Sequence, residues 1–545
     1  MPQLTQQQDL TTHVDVAIVG AGFAGMYLIH RLRKQGFTVR AFEAGSDVGG
    51  TWYWNRYPGC RVDVTSPEYS YEFDEELQQE WEWSERYATQ PELLRYAKHV
   101  ADRFDLRRDI QFHTRVTAAT FDEGSGRWAV VTDQGDDLSA QYLILATGLL
   151  STTNLPPIPG IESFSGAMYH TGQWPHEPVD FSGQRVAIIG TGSSGCQAIP
   201  LIAEQAEHLT VLQRTANYVI PAHNKPLDPS STQAVKQNYK EFRKRNKTFQ
   251  FAFFFQDIDK SALEVTDEER ELAYEAAWKE GGLMFMGVFN DLLKSEEANA
   301  TAQDFFRRKL REVVTDPATA AQLMPDFNLG CKRLIVGTDY YETYNRSNVS
   351  LVNIKDSPIE KITTRGIVVC GVEYEVDTIV LATGFDAISG SILAIDLHGR
   401  NGVGMRDKWA DGPSCYLGLM PEGFPNLFTI TGPGSPSILS NVIKSIEQHV
   451  EFIAECITHI RDGGYGVIEA TAEAEAAWVA HVDEIATDTV FKSCDSWYLG
   501  SNIPGKPRVF TGYVGWPGYA AELDDIVQDN YRGFSISKAE SLAAM

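Results

Sequence analysis

Two glycine-rich motifs constrain the fold of this chain more than any other feature, because each stands where a predicted strand passes into a predicted helix. The first motif follows an apolar run at residues 14–19, and its glycines are Gly20, Gly22 and Gly25. Such glycines permit a tight turn, a close approach of the backbone to a pyrophosphate, and close packing of helix against strand. A second predicted strand, residues 38–42, ends at Glu43, at the spacing expected for a hydrogen bond to a ribose hydroxyl. This unit is therefore predicted to bind a dinucleotide.

The second motif repeats this arrangement further along the chain. It follows a predicted strand at residues 185–189 and comprises Gly190, Thr191, Gly192, Ser193, Ser194 and Gly195. After the next predicted strand, residues 209–212, the position equivalent to Glu43 is taken by Gln213, and Arg214 follows. An acidic residue there would repel a 2′-phosphate, whereas an arginine attracts it. The first motif is therefore predicted to bind FAD or NAD, and the second NADP.

Two nearly identical segments indicate how the nucleotide-binding units are connected. Residues 143–148 and 379–384 each read as a strand that ends in Ala-Thr-Gly, as expected where the chain returns from one nucleotide domain to the other. We therefore predict an α/β protein with two Rossmann-like dinucleotide-binding domains and a helical insertion. The predicted boundaries are residues 1–150 and 385–545 for a discontinuous FAD-binding domain, 151–221 and 329–384 for an NADP-binding domain, and 222–328 for a helical subdomain.

The predicted helical subdomain carries a helix-starting signal and an aromatic cluster. Thr266 and Glu269 form a capping-box pattern, and the helix that they open is predicted to stop at the glycine pair 281–282. Two interpretations of the aromatic cluster stay open, namely core packing of the subdomain and one wall of an apolar substrate channel. The cluster consists of Phe249, Phe251, Phe253, Phe254 and Phe255.

Composition and charge argue against several classes of function. The formal net charge of −26 disfavours nucleic acid as a partner, since a phosphate backbone requires a basic surface. No segment approaches the roughly 18 apolar residues needed to span a bilayer, and the N-terminal residues show no secretory signal. The seven cysteines are scattered without a CxxC spacing, which argues against a disulfide framework, a zinc site and a dithiol redox centre. We therefore expect a metal-free protein in the reducing cytoplasm, with neither a nucleic-acid nor a membrane partner.

Two longer motifs narrow the choice among enzymes that combine a flavin with a nicotinamide. The absence of CxxC near the first glycine motif already removes the disulfide reductases. Residues 164–175 read FSGAMYHTGQWP, and residues 49–63 read GGTWYWNRYPGCRVD. Both resemble fingerprints of the type I Baeyer–Villiger monooxygenases, a family of class B flavoprotein monooxygenases, and the ending Trp174-Pro175 departs from the form usual in heteroatom monooxygenases. Further family-like segments extend the resemblance over nearly the whole chain, at residues 332–346, 432–437 and 496–508.

The resemblance implies tightly held FAD, NADPH as the electron donor, and oxidation of a hydrophobic ketone by O₂ to an ester or lactone, with sulfoxidation as a side activity. In that chemistry a peroxide on the flavin must stay anionic, because it attacks the carbonyl carbon as a nucleophile. A fixed cation beside it lowers its pKa and stabilises the oxyanion that forms. By resemblance this cation is Arg333, and Asp63 is the carboxylate that pairs with the arginine and orients it.

The resemblance also assigns residues that bind the cofactors. His170 lies in the fingerprint that joins the two nucleotide domains, so we interpret it as a hinge residue rather than a general base. Trp497 is expected to contact the nicotinamide. The residues expected on the flavin side are Gly50, Thr51, Trp52, Asp63, Tyr69 and Val116, and those expected near the 2′-phosphate are Arg214, Thr215 and Lys332.

The sequence constrains the substrate-binding region less than it constrains the cofactor sites. The loop at residues 435–439 resembles the substrate-facing bulge of the family, and the expected lining residues are Ser437, Ile438 and Leu439. Ala216 in place of a usual proline, and Trp516-Pro517 in place of a usual glycine pair, affect the expected substrate preference and not the reaction class.

Two alternative functions stay open. A heteroatom-hydroxylating (N or S) flavin monooxygenase is the alternative enzyme, and a nucleotide-sensing module is the non-catalytic alternative. We expect a monomer or a weak homo-oligomer.

Overall fold

The computed structural model describes residues 12–254 and 259–538. Its strands are β1 (Thr12–Val19), β2 (Val39–Phe42), β3 (Ile110–Gln111), β4 (Val116–Asp122), β5 (Arg127–Thr132), β6 (Asp137–Leu145), β7 (Ala167–His170), β8 (Arg185–Ile189), β9 (His208–Gln213), β10 (Val219–Pro221), β11 (Ile335–Gly337), β12 (Val349–Asn353), β13 (Ile359–Ile362), β14 (Gly366–Val369), β15 (Val372–Glu375), β16 (Thr378–Leu381), β17 (Asp396–His398), β18 (Leu427–Thr429), β19 (Val467–Ala470) and β20 (Phe534–Ser537).

The α-helices lie between these strands and on the faces of the sheets. They are α1 (Phe23–Lys34), α2 (Thr51–Trp54), α3 (Glu75–Glu80), α4 (Gln90–Arg103), α5 (Ser193–Gln205), α6 (Pro229–Gln237), α7 (Tyr239–Asn246), α8 (Asp267–Glu280), α9 (Glu296–Val313), α10 (Pro317–Gln322), α11 (Tyr340–Thr343), α12 (Gly390–Leu393), α13 (Met405–Lys408), α14 (Val442–Asp462), α15 (Ala472–Thr487) and α16 (Trp516–Gln528).

The first large sheet has the strand order β17–β4–β5–β6–β1–β2–β3, with β18 beside β6. Strand β1 lies between β2 and β6 and is parallel to both. Its residues Val16, Ala17 and Ile18 are fully buried, as expected for a parallel strand that is covered on both faces. Burying a valine or isoleucine side chain in this way contributes about 1.5–3 kcal/mol.

The second large sheet is entirely parallel, in the order β12–β9–β8–β16–β7. The small antiparallel sheet β13–β14–β15 is inserted between two of its strands, β12 and β16. Helices α1 and α5 begin within the two glycine-rich motifs, so both predicted strand–turn–helix units are present. The sheet orders confirm the predicted α/β fold class with two dinucleotide-binding units.

The two sheets draw on different parts of the chain. The first takes its strands from residues 12–145 and 396–429, and the second from residues 167–381. This is the arrangement that a discontinuous FAD-binding domain with an inserted NADP-binding domain requires. The exact domain boundaries stay a prediction.

The region between β10 and β11 is helical, and its predicted capping box is confirmed. The hydroxyl of Thr266 accepts a hydrogen bond from the Glu269 backbone N–H at 3.2 Å, and the Glu269 carboxylate accepts one from the Thr266 N–H at 3.0 Å. Helix α8, which this box opens, ends before Gly281 and Gly282, whose φ angles are +74° and +79°. Of the aromatic cluster, Phe249, Phe251 and Phe253 are buried and Phe254 is half-buried, while Phe255 lies outside the described residues.

One expectation from the cysteines is wrong. Cys331 and Cys494 form a disulfide, with their Cα atoms 6.2 Å apart and a sequence separation of 163. Sequence spacing indicates short-range cysteine motifs such as CxxC, whereas this pair is brought together only by the tertiary fold. The bridge joins the segment that precedes Lys332 to the segment that precedes Trp497.

No helix in the described ranges is both long and apolar enough to cross a membrane. Within the same ranges, no group of three or more His, Cys, Asp or Glu side chains could hold a metal ion.

Candidate active site

The first glycine motif forms a tight cradle at the start of α1. Gly20 has φ of +105°, and a Cβ atom on it would lie 2.5 Å from the carbonyl oxygen of Ala146. A Cβ on Gly25 would lie 2.0 Å from the Gly20 carbonyl oxygen, and one on Gly22 would lie 3.3 Å from the Cα of Gly50. Side chains are therefore excluded, and the N-terminus of α1 is left able to bind a pyrophosphate.

The acidic residue predicted to bind a ribose lies beside this cradle. Glu43 follows β2 and is buried, and its carboxylate accepts hydrogen bonds from the backbone N–H groups of Ala21 at 2.9 Å and Gly45 at 2.8 Å. Burial raises the pKa of Glu43, and these two N–H groups oppose that rise. Val116 is buried at the start of β4, two residues after Thr114, whose N–H donates to the Glu43 carbonyl at 2.9 Å.

The second glycine motif has nearly the same geometry. Gly190 has φ of +108°, and its Cβ would lie 2.4 Å from the carbonyl oxygen of Ala382. A Cβ on Gly195 would lie 2.3 Å from the Gly190 carbonyl oxygen, whereas one on Gly192 would meet no atom within 4 Å. The open side of the cradle is therefore at Gly192, where a pyrophosphate can approach the backbone. Thr191, Ser193 and Ser194 complete this turn, and the Thr191 hydroxyl donates to the Thr215 carbonyl at 3.0 Å.

The Ala-Thr-Gly segments explain why the two cradles match. Ala146 and Ala382 are the alanines of those segments, and each packs against the first glycine of one motif. The repeated Ala-Thr-Gly segment therefore places an alanine carbonyl against the first glycine of each nucleotide site.

Two cations lie near the second cradle. Arg214 is exposed at the end of β9, and Lys332 is half-buried with its Nζ 4.6 Å from the centre of the Phe327 ring. Burial lowers the pKa of Lys332, and the positive charge of Arg214 lowers it further. Among the described residues neither cation has a salt-bridge partner within 4 Å, so both charges are available to an anion such as a 2′-phosphate.

The predicted pair of Arg333 and Asp63 is formed. The Nε of Arg333 donates to one carboxylate oxygen of Asp63 at 2.7 Å, and its Nη2 donates to the other at 3.0 Å. Its remaining nitrogen, Nη1, donates to the backbone carbonyl of Ile438 at 3.2 Å. Despite burial, Asp63 holds the pKa of Arg333 above its ordinary value, so the cation is permanent. Three hydrogen bonds to two different loops fix the orientation of the guanidinium.

The loop that carries Asp63 joins the two nucleotide-binding units. The Tyr57 hydroxyl donates to the side-chain oxygen of Gln197 in α5 at 2.9 Å. Gly59 packs so closely on the same helix that its Cβ would lie 2.3 Å from the Gln197 carbonyl oxygen. The fingerprint at residues 49–63 therefore runs from the first glycine cradle, across α5, to Arg333.

The residues expected beside the flavin lie at the start of this loop. Trp52 is buried, and its indole N–H donates to the Tyr69 hydroxyl at 3.3 Å, with the two rings edge to face at 5.7 Å. Gly50 contacts Gly22 of the first cradle, and Thr51 is the exposed first residue of α2. The sequence-predicted flavin-side residues are thus brought next to the first nucleotide site.

An apolar cavity opens in front of Arg333. Its interior volume is about 10 Å³, roughly the space for one water molecule, and it is lined by Phe251, Phe253, Leu283, Met286, Gly330, Arg333, Leu334, Leu439, Phe491 and Tyr498. Of the three predicted lining residues, only Leu439 borders it. Ser437 is buried against Ser435, and Ile438 contributes its backbone carbonyl to Arg333.

Sequence analysis missed Tyr498 and Phe491 as wall residues, although Tyr498 directly follows Trp497 in a family-like segment. Tyr498 lies beside Arg333, and its pKa is raised to about 12 because burial outweighs the attraction of that arginine. Trp497 itself is only half-buried and begins a 3-10 helical turn, Trp497–Leu499.

His170 is occupied by structural hydrogen bonds. Its Nδ1 accepts from the Gly172 N–H at 3.0 Å, and its Nε2 lies 3.2 Å from the Thr383 hydroxyl, which itself donates to the Asn154 carbonyl at 2.6 Å. Burial lowers its pKa, so the ring is neutral near pH 7. His170 thus connects the fingerprint at residues 164–175 to the Ala-Thr-Gly segment at residues 379–384.

Two glycine cradles, each following a strand with parallel neighbours and joined by a loop that holds a permanent cation at an apolar cavity, define a flavoprotein with two dinucleotide sites. The flavin-binding monooxygenase-like family model matches residues 13–244. The chain is 45% identical to a Baeyer–Villiger monooxygenase of Pseudooceanicola batsensis, with 95% of both chains covered. It is 42% identical to a phenazine N-monooxygenase of Lysobacter antibioticus, covering 96% of this chain and 97% of that one.

The solved structures that are similar to this chain are also monooxygenases. An oxidised steroid monooxygenase bound to NADP superposes with a TM-score of 0.92 at 50% identity, covering 97% of this chain and all of that one. The OTEMO monooxygenase in complex with FAD and NADP superposes with a TM-score of 0.93 at 38% identity, with coverage of 97% and 100%. The chain therefore belongs to the Baeyer–Villiger monooxygenase family, as the two fingerprints predicted. It is an NADPH-dependent flavin monooxygenase whose cofactors are FAD and NADP(H).

Proposed function

We propose that this protein converts hydrophobic ketones to esters or lactones at the cavity in front of Arg333. The observation that carries the proposal is the bidentate pair of Arg333 and Asp63 at the edge of an apolar cavity, with Asp63 on the loop that contacts both nucleotide-binding units. A hydrophobic ketone suits walls built from phenylalanine, leucine and methionine side chains, with one fixed cation to orient its oxygen.

Bound FAD, once reduced by NADPH, supplies the activation of O₂. Arg333 stabilises negative charge as it develops on oxygen atoms at the cavity, and such a preorganised donor typically contributes about 10²–10³-fold in rate. Asp63 and the Ile438 carbonyl keep the guanidinium pointed at the cavity, so no reorganisation is needed during the reaction. Apolar wall residues exclude water, which strengthens the interaction between the guanidinium and the developing charge.

The remaining predicted residues would bind the cofactors. We assign the first cradle, Glu43, Val116 and residues 50–52 with Tyr69 to FAD, and the second cradle to NADPH. Arg214 and Lys332, with Thr215, would hold the 2′-phosphate, and Trp497 the nicotinamide end. The proposed domains are those predicted from the sequence, with the helical subdomain supplying one cavity wall through Phe251 and Phe253.

Oxidation at nitrogen or sulfur is a second candidate activity. The similarity to a phenazine N-monooxygenase favours it, and so does a cavity wall of aromatic rings that could stack on a flat heterocycle. A permanent cation beside the reacting atoms favours nucleophilic oxygen over electrophilic oxygen, so we rank ketone oxidation first and sulfoxidation as a side activity.

Product analysis tests this proposal. Purified protein with NADPH and O₂ would be given cyclic ketones, an aryl ketone, a thioether and phenazine, and the products would be identified by mass spectrometry. We expect esters or lactones from the ketones. Oxidation of the thioether or of phenazine with no ester from any ketone would overturn the proposal in favour of the second candidate. We further propose a cytoplasmic protein that is a monomer or a weak homo-oligomer, which sedimentation analysis would check.

A further inference from the structure

One wall of the cavity in front of Arg333 has no regular secondary structure of its own. Phe251 and Phe253 line the cavity, and their rings stack with centroids 6.0 Å apart. They belong to residues 247–254, which follow α7 and form neither helix nor strand. We call residues 249–254 the aromatic wall. Because no helix or strand ladder fixes this segment, contacts from other parts of the chain must position it.

The carboxylate of Glu68 holds one end of the aromatic wall. Its Oε1 accepts hydrogen bonds from the backbone N–H of Phe254 at 2.8 Å and from the side-chain amide of Asn246 at 3.0 Å. Its Oε2 accepts from the Thr65 hydroxyl at 2.5 Å. The side chain is buried, and three donors to one buried carboxylate make a strong and well-oriented anchor.

Asn441 holds the middle of the aromatic wall, at Phe251. Its backbone N–H donates to the Phe251 carbonyl at 2.9 Å, and its side-chain amide donates to the Glu68 carbonyl at 2.8 Å. Asn441 is also the N-cap of α14, where its side-chain oxygen accepts from the Ile443 N–H at 3.1 Å. The two anchors are therefore bonded to each other as well as to the wall, and Asn441 is fixed by a long buried helix.

The loops that anchor the wall also orient the arginine on the other side of the cavity. Glu68 follows Asp63 by five residues in the same loop, and Asn441 follows Ile438 by three. Asp63 and the Ile438 carbonyl are the hydrogen-bond acceptors of Arg333. The same two loops, residues 63–68 and 438–441, thus hold both Arg333 and the aromatic wall. The width of the cavity between them therefore depends on these two loops.

We propose that Glu68 and Asn441 are positioning residues that set the size of substrate accepted between Arg333 and the aromatic wall. This inference rests on the proposed location of the substrate in that cavity. Removing the Glu68 carboxylate leaves the Phe254 N–H and the Asn246 amide without an acceptor, so the Phe254 end of the wall can move outward while the Asn441 and Trp516 N–H groups still hold residues 250 and 251. Bulky substrates gain access, and small substrates lose contact with Phe251 and Phe253.

The test compares Glu68→Ala with Glu68→Gln. We expect the ratio of kcat/KM for a bulky substrate to that for a small one to rise about tenfold in E68A, mainly through KM, while FAD content stays at the wild-type level. E68Q keeps an oxygen that can accept from the Phe254 N–H, so it is expected to restore the wild-type ratio. Where E68A yields no folded protein, E68D retracts the carboxylate by one methylene and is expected to change the ratio in the same direction.

Two further variants separate positioning from general damage. Glu447→Gln alters another buried carboxylate, which accepts from the Glu72 and Phe73 N–H groups and from the Lys444 ammonium instead of from the Phe254 N–H, so its ratio should not change. In the Phe251→Ala background the aromatic wall has already lost the Phe251 ring from the cavity. Adding E68A to this variant should therefore change the kcat/KM ratio no further.

An unchanged ratio in folded E68A and E68D, or equal and additive effects in the F251A background, would overturn the positioning role. The measurement uses whichever substrate class the wild-type protein oxidises, ketones, thioethers or N-heterocycles. Failure to form esters would therefore count against the proposed function alone, and failure of the ratio to move would count against the positioning role alone.

Discussion

At the scale of single residues, the arrangement of charges around the second cradle is the feature with the most direct consequence. Lys332 and Arg214 carry like charges without salt-bridge partners in the described part of the chain, so the charged form of Lys332 is destabilised until an anion binds. Burial and Arg214 together lower the pKa of Lys332 below its ordinary value of 10.5. A group with a lowered pKa loses its proton, and with it its attraction for phosphate, at a lower pH than an ordinary lysine would.

We therefore expect kcat/KM for NADPH to fall as the pH rises toward the alkaline range, earlier than for an unperturbed lysine. Lys332→Arg should flatten this dependence because arginine stays charged, and Lys332→Ala should raise KM for NADPH about 10–100-fold, the loss typical of one charged hydrogen bond. NADH lacks the 2′-phosphate and serves as the control in steady-state assays. An identical pH profile in K332R would contradict the assignment.

How much could be predicted from the sequence depends at this scale on distance along the chain. Gly20, Gly190 and Glu43 act within one strand–turn–helix unit, so their positions followed from local rules. Asp63 and Arg333 lie 270 residues apart, and only the resemblance to a known family brought them together. Cavity walls such as Met286 and Phe491 come from unrelated segments with no motif, so no local rule could have placed them.

At the scale of elements, the turn before α5 contains two glycines with different tasks. Gly190 has φ of +108° and no room for a Cβ, whereas Gly192 has an ordinary φ of −75° and faces open space. The first glycine is required by the fold, and the second by the ligand. The same element pattern occurs before α1, which is why two motifs sufficed to predict both sheets.

We expect Gly192→Ala to fold normally, to retain FAD and to raise KM for NADPH about tenfold or more, a loss of about 1.4 kcal/mol or more. Gly190→Ala should instead destabilise the whole unit by about 1–3 kcal/mol from backbone strain alone, with the contact to Ala382 in addition. Thermal unfolding and NADPH kinetics on both variants check this. Loss of stability in G192A, with normal NADPH binding, would contradict the division of tasks.

At the scale of the whole molecule, the fold brings distant segments together around one cavity. The disulfide between Cys331 and Cys494 bridges a sequence separation of 163 and fixes the Arg333 segment to the segment of Trp497 and Tyr498. A cross-link of this kind stabilises mainly by restricting the unfolded chain, typically by about 2–4 kcal/mol.

We expect the unfolding midpoint of protein purified without reductant to fall when dithiothreitol is added. Cys494→Ser should show the lower midpoint with or without reductant, and free-thiol titration should report the change in thiol number. Cys370, an exposed cysteine without a bridge, gives the matched control Cys370→Ser, which should leave the response to reductant unchanged. An equal midpoint for the wild type with and without reductant would show that the bridge adds no stability.

The central claim is that Arg333, held by Asp63 and the Ile438 carbonyl, directs oxygen onto the carbonyl group of a ketone. The most direct measurement is the amount of ester formed for each NADPH oxidised, in the wild type and in Arg333→Ala, with the rate of flavin reduction followed in the same preparations by stopped-flow absorbance. We expect near-stoichiometric ester in the wild type, and in R333A preserved flavin reduction with ester formation lowered about 10²-fold or more. Ester formation by R333A at the wild-type yield would contradict the claim.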